Sequence, residues 1–144
     1  MTTGRTGIAL IAAVALGAAV ACENSFAPEV PALAGPWRGA IEVTENSCTG
    51  DTQDDVQTWL ISQSGDVISI FFSHQNYVGT VERGGRFETA RSAQSPDGLL
   101  QVSATITGEP RSGSRLVATE IVEQSGPEAT CRIVRLYTME RFGS

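Results

Sequence analysis

Apolar and polar residues alternate along most of the chain after residue 35, and the alternation is clearest at Leu100, Val102, Ala104 and Ile106, with Gln101, Ser103, Thr105 and Thr107 between them. A period of two puts one set on a dry face and the other on a wet face, which predicts a half-buried β-strand. Trp37 to Thr44 follows the same rule, with Trp37, Gly39, Ile41 and Val43 sharing a face. Further strands are predicted over Val56 to Gln63, Val67 to Ser73, Tyr77 to Arg83, Arg86 to Arg91, Ser114 to Glu123 and Ala129 to Phe142. The punctuation between them is turn chemistry: Ser64-Gly65-Asp66, Gly84-Gly85, Ser95-Pro96-Asp97-Gly98 and Ser125-Gly126-Pro127-Glu128. Gly84-Gly85 reads as a two-residue hairpin turn, since primed turns need positive φ. In the last two strands both phases carry apolar residues, as in Ile133-Val134 and Leu136-Tyr137, so their inward face stays open.

Eight short strands without a helical period give an all-β fold. An open sheet would expose two edges, whereas a meander closed into an antiparallel up-and-down barrel exposes none. A two-sheet sandwich is the alternative. Trp59, Ile61, Ile68, Ile70, Phe72 and Val102 are expected to point inward, and Trp59, Ile61, Ile70, Phe72 and Val102 are the candidate lining of any ligand site.

The first part of the chain has a different pattern. Ile8 to Val20 is nearly all Ala, Val, Leu and Ile behind Arg5, the only charged side chain before Glu23. This is the form of an export signal, too short for a spanning helix. Its end, Ala19-Val20-Ala21-Cys22, resembles the bacterial lipobox, which implies cleavage before Cys22 and lipid attachment to it. Ala19 stands where that motif usually has Leu, and Ala-Val-Ala also suits ordinary signal peptidase. The expected organisation is therefore a signal peptide over 1–21, a lipid-anchored flexible linker over 22–34 carrying Pro28 and Pro31, and one barrel domain over 35–144. The implied address is the cell envelope, lipid-anchored, with a lean to the outer membrane facing the periplasm.

Three cysteines change the picture further. If Cys48 and Cys131 pair, lipidation of Cys22 accounts for the odd thiol. Such a bond suits an oxidising compartment, and it joins strands that are neighbours in a closed meander. Metal binding by these two thiols has no accompanying Cys or spaced His to support it.

Gly35-Pro36-Trp37 before the first strand resembles the Gly-x-Trp motif of lipocalins and the wider calycin group. The resemblance implies that Trp37 closes one end of the barrel under an Arg of the final strand, Arg135 or Arg141. With Trp37 and Trp59 inside such short strands the interior is expected to be mostly filled, and any ligand should be small or lipid-like and enter at the mouth away from Trp37. Ala32 to Trp37 followed by Cys48 is likewise similar to the start of small periplasmic barrel inhibitors of metalloproteases, and envelope lysozyme inhibitors share the size and the anchor. That alternative requires Glu23 to Ala34 to reach into an enzyme.

Composition narrows the chemistry. The chain has no lysine, and its one histidine, His74, falls in a predicted loop without a Gly-x-Ser-x-Gly elbow. No catalytic residue, cofactor or metal is assigned, and the protein is expected not to be an enzyme. Glu42, Glu45, Asp51, Asp54 and Asp55 match no calcium loop and read as a solvated segment. Arg83, Arg86 and Arg91 around Gly84-Gly85 read as a guarded strand edge or a local anion site. Without Arg5, nine cationic residues face sixteen acidic ones, a net charge near −7, which excludes nucleic-acid binding. The expected partners are a membrane, through the acyl group, and a small hydrophobic ligand or an envelope protein.

Overall fold

The computed structural model describes residues 29–49 and 55–143. The expected signal segment over 1–21, Cys22 and most of the expected linker lie outside them. Eight strands run β1 (Gly35–Asn46), β2 (Val56–Ser64), β3 (Val67–Phe72), β4 (Gln75–Val81), β5 (Phe87–Gln94), β6 (Gln101–Ser112), β7 (Arg115–Ser125) and β8 (Thr130–Arg141). Each pairs antiparallel with the next, and β8 pairs back onto β1, closing the barrel in sequence order. Every neighbouring pair is joined by its own hydrogen-bonded ladder, so among the described residues no strand is left with a free edge.

The turns follow local chemistry, with one departure. Ser73 and His74 both have positive φ (47° and 61°) and join β3 to β4 as a two-residue turn between the paired Phe72 and Gln75. Gly65 (φ 61°) opens the equally short β2–β3 turn. At Gly84-Gly85, only Gly85 has positive φ (89°), with its N–H donating to Glu82 and the Glu82 N–H donating to Arg86. The connection is thus a three-residue turn closed by a left-handed glycine, not the two-residue primed turn that the Gly-Gly pair suggests. A side chain at residue 85 would also meet Pro110 and Pro31, at 2.6 and 2.9 Å from its Cβ.

Trp37, Trp59, Ile61, Ile68, Ile70, Phe72, Tyr77, Val81 and Phe87 fill the interior from β1 to β5, and Ile106, Leu116, Tyr137 and Met139 complete it. Trp59 stacks on Phe72 (5.6 Å between centroids) and Phe72 on Tyr77 (5.3 Å), so the aromatic centre is a continuous packed column. The inward phase of the last two strands is Leu116, Ala118, Glu120, Val122 and Ile133, Arg135, Tyr137, Met139.

One end of the barrel is sealed by chain assigned to the linker. Leu33 is buried, its N–H donates to Gln63 Oε1 (2.7 Å), and its carbonyl accepts from Trp37 Nε1 (2.8 Å). Gln63 Nε2 donates to the Pro31 carbonyl, and the Arg141 guanidinium donates to Ala32 and Ala34. Residues 31–34 therefore form a plug, and the folded unit begins before Gly35. The opposite end is bridged by Cys48–Cys131, with Cα atoms 5.0 Å apart, tying the end of β1 to the start of β8.

Candidate ligand cavity and buried polar cluster

At the plugged end, Arg141 lies over the Trp37 ring, 4.7 Å from its centroid. Arg141 therefore covers the Trp37 ring at this end of the barrel. Arg135 is elsewhere. It points into the barrel, where its Nη1 meets Glu120 Oε2 at 2.9 Å. The six-residue separation along β8 explains the difference: Arg135 and Arg141 share the inward phase but sit at different depths.

Glu120 is 1% exposed and is the hub of the interior. Tyr77 donates to its Oε1 at 2.5 Å, and Tyr137 to its Oε2 at 2.7 Å. Adjacent strands deliver these groups, since Glu120 pairs with Arg135 in the β7–β8 register. A buried carboxylate is costly without partners, and three donors answer that cost. Burial, then the Glu120 charge and its hydrogen bonds, push both tyrosine hydroxyls well above their usual range. Both remain protonated donors over the physiological range.

Arg91 is also inward and partly buried, opposite Ala104, with its guanidinium 5.3 Å from the Tyr77 ring centroid. The sequence groups it with Arg83 and Arg86, but alternation separates them. Phe87, Thr89 and Arg91 share the inward phase of β5, while Arg83 and Arg86 are exposed at the turn.

Beyond the aromatic column, at the disulfide-bridged end, is a cavity of about 870 Å³ between the ends of β5, β6, β7 and β8. Its lining combines hydroxyl and amide groups from Ser47, Gln94, Gln101, Gln124 and Thr130 with the charged Glu123 and Arg132, and Cys131 lies at one side. Of the expected ligand-lining residues, Val102 borders this cavity. Trp59, Ile61, Ile70 and Phe72 are buried in the packed column instead. The aromatic column thus fills the interior, and the cavity lies beyond it at the strand ends.

Glu120, Tyr77 and Tyr137 carry no motif, and Glu120 looks like any exposed strand carboxylate in sequence. The one usable signal is its phase with Leu116, Ala118 and Val122. Among the described residues no group of three or more His, Cys, Asp or Glu side chains converges as a metal site. No family model, curated protein or solved structure matches the chain, so the fold and the cavity are the basis for any functional reading.

Proposed function

We propose that the protein is a non-enzymatic, lipid-anchored component of the cell envelope whose small lipocalin-like barrel binds a small ligand at its open end. The observation that carries this reading is the 870 Å³ cavity above a filled core. Its size falls within the range of small-molecule sites, and it sits in the mouth of a barrel, where such sites recur. The lining shifts the ligand class from apolar toward polar. The resemblance of Ala19-Val20-Ala21-Cys22 to the lipobox supports the anchor and the envelope address.

Native mass spectrometry of protein isolated from membranes tests the binding. The expected result is a small-molecule adduct that is lost when Val102→Trp fills the mouth; absence of any adduct would reject the reading. Intact mass tests the anchor, through acyl mass on a chain beginning at Cys22. The inhibitor alternative meets a physical obstacle, because residues 31–34 are hydrogen-bonded into the barrel end. Only residues before them would remain to enter a cleft.

A further inference from the structure

We propose that the outer face of β2, β3 and β4 is a self-association surface, on which a second copy of this chain docks through a two-fold contact. The inference stands apart from the cavity at the strand ends and from the anchor at Cys22. An antiparallel sheet with one solvated face ordinarily alternates apolar-in with polar-out. On these three strands the outer phase departs from that rule: Val56, Leu60, Val67, Phe71 and Val78 point outward, each 46–52% exposed. The register gathers four of them into one patch. Leu60 is directly opposite Phe71, and Val78, opposite Ser69, lies diagonally to both Phe71 and Val67.

Charge selects the occupant. β2, β3 and β4 contain no charged residue, whereas each of the other five strands contains at least two. The whole chain has a formal net charge of −6, and a charge far from zero keeps like copies apart. The β2–β4 face is where a copy can approach without setting like charges together, and a face that meets itself is what a two-fold interface requires. Its central hydroxyl also tolerates cover, because Ser69 Oγ donates to Asn76 Oδ1 at 2.6 Å within the face and keeps that partner on burial.

Area sets the strength. A stable interface uses about 800 Å² and 20–30 residues on each side, and the outer phase of these three strands supplies roughly half that number of residues. Exposed apolar patches of this kind are commonly functional, and the expected dimer is a weak one, with a dissociation constant on the order of 0.1 mM.

Sedimentation equilibrium of the chain from residue 23 onward, which contains every strand and the plug, tests this between about 10 µM and 1 mM. A monomer–dimer equilibrium is expected, with the backbone amides of Leu60, Ser69 and Val78 shifting with concentration and those of Thr105 on β6 and Thr119 on β7 unmoved. Phe71→Ser should weaken it at least tenfold with the circular dichroism spectrum unchanged, and Leu60→Ser serves as the second variant if that spectrum moves. Ser69→Glu and Ser69→Arg, at the centre of the face, should each abolish the dimer, and an equimolar mixture of the two should restore it, as only a face meeting itself can do. A monomer at the highest concentration, a dimer that survives both serine variants, or a charge-swapped mixture that stays monomeric would overturn the proposal. Monomeric chain that co-sediments with phosphatidylcholine vesicles would overturn it in favour of a lipid surface.

Discussion

Glu120 on β7 and Arg135 on β8 face one another across a single register pair inside the barrel, 2.9 Å apart. The pair is not isolated, because Tyr77 arrives from β4 on the other side of the interior to complete the Glu120 shell. The charged pair and the β4 hydroxyl together join strands that share no ladder.

Removing Glu120 should therefore be severe. Glu120→Ala deletes the acceptor of three donors and is expected to cost about 3–5 kcal/mol. Tyr137→Phe, which removes one donor to a charged acceptor, should cost about 1.5–3 kcal/mol. Urea denaturation followed by tryptophan fluorescence measures both. A loss below about 1 kcal/mol for Glu120→Ala would mean that the cluster is not a stabilising element.

The two tyrosines give the stability a defined alkaline limit. Burial, with the Glu120 charge beside them, raises their folded pKa values above the usual tyrosine value of about 10. Above about pH 10 the unfolded chain has lost these protons while the folded chain retains them. Stability should then be fully present below pH 10 and fall as pH rises, by about 1.4 kcal/mol per pH unit for each tyrosine. These are the only two tyrosines in the chain. Tyrosinate absorbance should consequently stay silent in the folded protein past pH 10 and appear together with unfolding. Early ionisation without unfolding would contradict the geometry.

The β3–β4 turn holds two non-glycine residues at positive φ, Ser73 and His74. Each pays a steric cost on the order of 1–2 kcal/mol in that region. The double change Ser73→Asn, His74→Gly matches the turn's preference and should raise stability by about 1 kcal/mol or more. Thermal unfolding would check it, and a loss of stability would show that the two side chains make compensating contacts.

Cys48–Cys131 closes a loop of 83 residues. In the chain-entropy view, opening it is worth about 4.5 kcal/mol at most. Replacing both residues by serine should lower the urea midpoint accordingly. It should also loosen the mouth in hydrogen exchange while the plugged end, held by Leu33 and Arg141, stays protected.

The strand count, the closure and the disulfide were legible because each rests on a local rule: alternation, turn residues and cysteine pairing. Ala104 and Ile106 are the clearest example, buried as the alternation requires, whereas Leu100, expected on the same dry face, precedes β6 and is exposed. The buried cluster was not legible, for a physical reason visible in β7. Val117 and Ile121 on its outer phase are half-buried and apolar, so the phase that Glu120 shares with Leu116, Ala118 and Val122 does not by itself mark it as turned inward. A single carboxylate is decided by partners on β4 and β8 that lie 43 and 15–17 residues away. The plug was hidden similarly: Leu33 sits in a segment with no period of its own, and its burial depends on Trp37, Gln63 and the distant Arg141. Trp59 and Phe72, expected to point inward and to line any ligand site, are taken up by the core of the short barrel.

The plug at residues 31–34 has an orientational consequence. Residues 31–34 enter the barrel at the Trp37 end, and the disulfide-bridged end with its cavity lies opposite. An acyl chain at Cys22 would then hold the molecule by its floor, presenting the cavity outward to solvent like a cup standing on its foot.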